Sequence, residues 1–302
     1  MPTFDTPEPI TVRIDLPGGE VRIIASDRTD TVLQVWPGDG EQEGDIQAVY
    51  EGGTLMVSSA APRDPGLAGT VRQAAASVGR RPGWSLSGLV RMLGEWGQSS
   101  PSVTIEVPSG SHVQGEAMAG EFHCTGRLGE VRLRTDYGDI RLDQAGAVRL
   151  TTDSGEISLD RAHGRAEITT GSGEVRIHEI HGSAVIRNDD GECAIGEVTG
   201  DLRLTGVHGD MQVERAHGGV EAKTVYGSVR IGQVRRGTVV LTSTGGDLEV
   251  GIRQGTAALL DVSTAEGRLV NTLEPREGPE GFEETVEIRA RSHEGDITIR
   301  RA

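Results

Sequence analysis

Residues 166–213, AEITTGSGEVRIHEIHGSAVIRNDDGECAIGEVTGDLRLTGVHGDMQV, decide the fold. Gly173, Gly191 and Gly209 recur in this stretch at a fixed interval, and the segments between them alternate strictly. Ala166, Ile168 and Thr170 share one face, and Val175 and Ile177 share the next. One unit on, the equivalents are Ala184, Ile186 and Asn188, then Cys193 and Ile195. A further unit gives Leu202, Leu204 and Gly206, then Met211 and Val213. Alternation at period two marks a strand with one buried face.

The pattern extends in both directions. One glycine ladder runs through Gly120, Gly138, Gly155, Gly173, Gly191, Gly209, Gly227 and Gly246, and a second from Gly129 to Gly237. An apolar residue precedes most members of the second ladder: Ala145, Ala162, Ile180, Val198, Ala216 and Val234. Each unit therefore reads as two short strands and a third short apolar side, with glycines at the corners, where a positive φ or close backbone approach is needed. Equivalent residues stack in register, so the sheets must be parallel. Parallel sheets covered on both faces read as continuous apolar runs; alternation here leaves the outer face to water. The fold class predicted is all-β, a parallel β-solenoid (β-helix) with coils of about 18 residues. The dominance of right-handed crossovers predicts a right-handed solenoid. The coil length also equals three hexapeptides, as in left-handed β-helices, which leaves that hand open.

Val12, Ile14, Gly19, Val21 and Ile23 repeat the same offsets near the start. Leu260, Val262, Gly267 and Leu269 do so near the end, followed by Ile288, Ala290, Gly295, Ile297 and Ile299 after a loop at 275–284. Asp45–Tyr50, Thr54–Ser59 and Ser102–Val107 read as strands, with Gly52-Gly53 a hairpin turn. They predict an antiparallel N-terminal β cap closing one open end. Residues 61–100 switch to a helical period, with Leu86, Leu89, Val90 and Leu93 on one face. The division expected is residues 1–111, a first coil and cap carrying a helical insertion at 61–100, and residues 112–302, the solenoid continuous with it.

Only 3% of the 302 residues are aromatic while 44 are glycine, which suits many thin layers of small and β-branched side chains. A net charge of −16 excludes nucleic acid as a partner, which would need a basic stripe. Lys223 is the only lysine, which removes a polylysine contact with anionic lipid. Met1 to Ile10 lacks a signal-peptide pattern and no apolar run of about 20 residues occurs, so a cytoplasmic location is expected. Cys124 and Cys193 stand four coils apart, roughly 19 Å at about 4.8 Å per coil, out of disulfide reach.

Acidic residues follow the corner glycines: Asp139, Glu156, Glu174, Glu192, Asp210, Asp247 and Asp296. A row of calcium sites is one reading. Turn chemistry is the favoured one, with the carboxylates accepting corner N–H groups and pairing with Arg141 and Arg176. His163, His181 and His217 recur at another corner without the convergent ligands that zinc requires, and read as exposed turn residues. No cofactor or metal is expected. Outward positions of the first strand carry Arg132, Arg134, Arg149, Arg187 and Arg203 against Glu167, and those of the second are mostly acidic. Two independently solvated faces are the favoured reading of this pattern, and salt-sensitive side-by-side self-association through the opposite faces is the other. Trp84, Arg91 and Trp96 make residues 61–100 a lid, or a docking element for a partner or membrane. Trp84, Arg91 and Trp96 form the candidate interaction surface together with Asp139, Glu156, Glu174, Glu192 and Asp210.

Catalytic motifs are missing from the sequence: no nucleophile elbow, phosphate loop, HExxH or CxxC occurs. Carboxylates and arginine gathered in a groove beside the 275–284 loop would point instead to a carbohydrate enzyme.

The segments FDTPEPI and VRIIASDRTDTV, the junction FHCTGRLGEVRLRTDYGDIRLD, the units ITTGSGEVRI and IGEVTGDLRL, and the ending GDITIRRA resemble one family of actinobacterial proteins. It is the bacterial β-strand-repeat family of unknown function labelled "putative adhesin". The resemblance implies a β-solenoid and supplies no catalytic or binding residues. The expected function is a non-enzymatic intracellular scaffold or interaction module for an unknown protein partner or for copies of itself. The alternative is an adhesin-like surface protein binding protein or glycan.

Overall fold

The computed structural model describes residues 2–36, 46–59, 101–275, 278 and 281–302. Among them there is no helix, and the strands join in one continuous hydrogen-bonded system that closes round an apolar core. In chain order the N-terminal part holds β1 (Thr3–Asp5), β2 (Thr11–Ser26), β3 (Asp30–Trp36), β4 (Ile46–Glu51), β5 (Thr54–Ser59), β6 (Ser102–Pro108) and β7 (His112–Arg127). Strands then alternate between two sheets. The first sheet takes β8 (Val131–Tyr137), β10 (Val148–Ser154), β12 (Ala166–Ser172), β14 (Ala184–Asp190), β16 (Leu202–His208), β18 (Val220–Lys223) and β20 (Gly237–Thr242). The second takes β9 (Ile140–Ala145), β11 (Ile157–Ala162), β13 (Val175–Ile180), β15 (Cys193–Val198), β17 (Met211–Ala216), β19 (Val229–Val234) and β21 (Leu248–Ile252). The chain ends with β22 (Thr256–Thr264), β23 (Leu269–Asn271), β24 (Glu284–Ser292) and β25 (Ile297–Arg301).

Every repeat strand pairs in parallel with its equivalent one coil away, in the register the alternation predicts. Ile168 lies between Leu150 and Ile186, and Ile177 between Leu159 and Ile195. These columns form the core, with Leu150, Ile157, Leu159, Ile168 and Ile186 essentially inaccessible. The third side is a turn rather than a strand. Ala145, Ala162, Ile180 and Val198 are buried at the ends of second-sheet strands, and their carbonyls accept the N–H of His163, His181, Thr199 and His217 respectively. Too few residues separate this apolar position from the next glycine to form another strand.

Corner glycines are required on two counts. Gly173 has φ 139°, and a Cβ there would stand 2.1 Å from the carbonyl oxygen of Gly155 in the preceding coil. Beside this corner, the last inward position of each first-sheet strand is often polar and caps it. Thr135 Oγ1 donates to Gly120 O at 3.1 Å, and Asn188 Nδ2 donates to both Gly173 O and Gly191 O at 3.0 Å. These side chains satisfy carbonyls that the bend removes from the ladder.

The ends differ from expectation. The Gly52-Gly53 hairpin joins β4 and β5 antiparallel as predicted, and β3 runs antiparallel to β6 and β1. The cap is not wholly antiparallel, however: β5 and β6 lie parallel to the two halves of β2 and make a further coil. The cause is packing, since Leu55 and Val57 extend the column of Val12 and Ile14, while Val103 and Ile105 extend that of Val21 and Ile23. Strands β1 and β3 were not foreseen. The helical period predicted at 61–100 lies outside the described residues.

At the other end the last two coils are stacked out of sequence order. β24 sits between β20 and β22, and β25 between β21 and β23. The β2 coil is likewise held between the β5–β6 coil and β7. Both terminal segments are thus clamped one coil inside the stack.

Candidate interaction surfaces

The acidic corner row is built into the coils. Asp139 Oδ1 accepts the N–H of Glu156 at 2.8 Å, and its Oδ2 pairs with Arg141 at 2.9 Å. Asp210 accepts the N–H of Ser228 at 2.8 Å, and Asp247 that of Asp296 at 2.8 Å. Arg176 bridges Glu156 and Glu174. The turn-chemistry reading therefore describes Asp139, Glu156, Glu174 and Asp210. Glu192 is exposed, with no cation in ion-pair range among the described residues. At the final corner the Arg268 guanidinium, hydrogen-bonded to Asp296, holds that carboxyl below its ordinary value.

The arginine face of the first sheet is locally neutral, contrary to the charge separation expected. Arg132 pairs with Glu130 at 2.6 Å, Arg187 with Asp189 at 3.0 Å and Arg203 with Glu221 at 2.7 Å. Arg134 lies 3.6 Å from Asp136, and Arg149 pairs with Glu167. Counting outward strand positions alone missed Glu130, Asp136 and Asp189 at the strand margins and Glu221 in the next coil. Each exposed pair is worth about 0–1 kcal/mol, so the set fixes surface charge more than stability.

The turn side carries a second network. Arg161 and His181 flank Glu179, at 2.7 and 3.0 Å, and Arg215 and His217 both reach Glu197 at 2.8 Å. Hydrogen bonds from Arg161 and Arg215 hold Glu179 and Glu197 below the ordinary carboxylate range, against partial desolvation. His163 stacks on His181, ring centroids 5.6 Å apart. His181 and His217 are turn residues tied to carboxylates, and His163 is held by its stacking on His181.

One feature escaped sequence reading. His208 and Tyr226 stack at one corner with centroids 5.3 Å apart, and Tyr226 is 59% exposed; the signal was two aromatic rings at the same corner offset in successive coils. Beside the 275–284 loop lies a cavity of about 800 Å³ lined by Phe282, Leu259 and Leu273 with Glu274, Glu284, Glu287, Arg236 and Arg301. Its polar groups are largely engaged. Glu284 pairs with Arg235 at 3.1 Å and Glu287 with Arg289 at 2.7 Å, while Arg301 donates to the carbonyls of Arg253 and Thr256. Trp84, Arg91 and Trp96 lie outside the described residues.

The crystal structure of a "putative adhesin" from Bacteroides fragilis NCTC 9343 is 12% identical over 100% of this chain and 95% of its own, with a TM-score of 0.40. That of a "putative cell adhesion protein" from Clostridium sporogenes ATCC 15579 is 12% identical over 98% and 96%, with a TM-score of 0.21. A search of curated proteins finds no match. The Toastrack DUF4097 family model matches residues 11–300, with the repeat, both glycine ladders and both clamped ends inside it, and the chain belongs to that family.

Proposed function

We propose that the chain is a non-enzymatic intracellular scaffold, a module that presents its sheet faces and corners to a protein partner. The observation that carries this reading is the use made of its charged side chains. Between Asp139 and Glu221 the arginines pair with carboxylates, and Asp139, Glu156, Glu167, Glu174, Asp210 and Glu221 are spent on corner N–H groups or on arginines, with Glu192 left open. Glycoside hydrolysis needs two carboxyl groups facing a substrate. In the cavity beside the 275–284 loop, Glu284 and Glu287 are bound to arginines, leaving Glu274 as the remaining glutamate among the described residues. The two cysteines are free and buried, which suits a reducing compartment. Among the described residues no helix is long and apolar enough to cross a membrane.

A second reading, an adhesin-like protein that binds glycan, draws on the exposed Tyr226 ring stacked on His208, since an aromatic face can carry a sugar ring. Cell fractionation and a glycan array separate the two. The scaffold reading expects the chain in the cytoplasmic fraction and no glycan bound. Recovery at the cell surface, with glycan binding lost in Tyr226→Ala, overturns it.

A further inference from the structure

The two ends of the stack are finished differently. At the N-terminal end the sheets turn antiparallel at β4, β3 and β1, and Leu33, Leu55 and Val57 beneath them are buried. At the C-terminal end both sheets stop on a parallel strand. Among the described residues β22 pairs only with β24, and β23 only with β25. Core-facing side chains there are left open: Leu269 is 50% exposed, whereas its neighbour Ile297 is fully buried. Leu260 and Val262 are half-buried beside fully buried Ile288 and Ala290. On the outward side Leu259 is 69% and Val270 44% exposed.

Within its own two strands this edge carries none of the usual protection. Proteins blunt exposed strands with lysine, proline, bulges or inward charges. TAALLDVST and LVN contain no proline or basic residue, both strands pair without a register shift, and their one charge, Asp261, is paired with Arg291 at 2.8 Å. On a chain of net charge −16, these two strands thus bring no unpaired charge of their own to a contact between copies.

We propose that the β22–β23 edge is an interface between two copies of the chain, β22 meeting β22 and β23 meeting β23 about a two-fold axis normal to the sheets. That rotation reverses strand direction, so each strand meets its mate antiparallel, the more stable pairing. It extends both sheets at once and closes Leu260, Val262 and Leu269 of the two copies into one core. An added peptide strand extends a single sheet edge and leaves the other sheet open. The contact uses the same patch on both copies, so the product is a closed dimer. This inference is independent of the scaffold reading, because dimerisation and partner capture are separate measurements.

Sedimentation equilibrium of the full chain over a concentration series, at low and high salt, tests it. The mass should rise towards twice that of one chain, in both salts, because the contact is apolar. Leu269→Lys should weaken the dimer about tenfold or more, since the ammonium reaches water in one copy and is buried without a partner in two. Should that variant unfold by circular dichroism, the double variant Leu259→Lys, Val270→Lys decides: both sites are exposed in the single chain, and the substitutions gather like charges across the contact. Val185→Lys, on the exposed face far from the edge, should dimerise as the wild type does. A wild type that keeps the mass of one chain throughout overturns the proposal. So do edge variants that assemble normally, growth beyond a dimer, and a dimer that dissociates in high salt.

Discussion

Asp139 and Glu156 stand in successive coils, and the carboxylate of the first accepts the backbone N–H of the second at 2.8 Å. The bond crosses the corner where the chain leaves the first sheet, and it recurs between Asp210 and Ser228. Asp139→Ala should therefore lower stability by about 1 kcal/mol, with Asp139→Asn costing less because its amide oxygen can still accept. Chemical denaturation of the three proteins checks this. Equal midpoints would mean the corner bond contributes nothing.

Calcium should leave stability unchanged. Every corner carboxylate but Glu192 already accepts an N–H group or pairs with Arg141, Arg176 or Arg268, so a cation bound along the row would have to displace internal partners. Thermal unfolding in excess calcium and in chelator should give the same Tm. A rise in calcium would restore the row of cation sites.

Glycine replacements should fall into two groups. Gly173→Ala forces a side chain into positive φ and against Gly155 O, so a loss of at least about 2 kcal/mol is expected. Gly52→Ala, at φ 55° with open space around it, should cost about 1 kcal/mol. Comparable losses at both positions would contradict the close stacking of corners.

Burial pushes the Cys124 and Cys193 thiols up to about 12. Both should resist alkylation at neutral pH until the chain unfolds. The sign of the pH effect follows. A folded-state value above the ordinary 9.0 means the native form holds these protons more tightly, so their contribution is complete below about pH 9 and declines as pH rises towards 12. Rapid labelling of the native protein would show that the core columns open.

Much of this fold was legible because a solenoid repeats its local pattern. Inward and outward positions follow from alternation, and corners from glycine. The order of the last coils was not legible: Leu260, Val262 and Leu269 fit the core columns as well as Ile288, Ala290 and Ile297 do, so either coil could stand at the end. The parallel placement of β5 and β6 was hidden because their pairing with β2 spans long separations in sequence. Surface charge was misjudged for a related reason. Arg149–Glu167 and Arg203–Glu221 link adjacent coils, and pairs at the coil offset must be counted with the face they neutralise.

Clamping of the C-terminal coil has an unusual consequence. A chain ending at Glu283 would lose β24 and β25 from inside the stack and leave β22 and β23 without partners. A chain ending at Arg253 would keep an unbroken stack through β21. The longer truncation should unfold more cooperatively and resist protease better than the shorter one. The reverse order would contradict the intercalated arrangement.

Affinity capture with the full chain from lysate of its native cell, with the captured species identified and quantified, tests the scaffold reading most directly. The account predicts a protein recovered in near-stoichiometric amount, and its loss when the exposed residues of a sheet face or corner are replaced without loss of fold. Recovery of a glycan or a processed small molecule, with no protein retained, would contradict it.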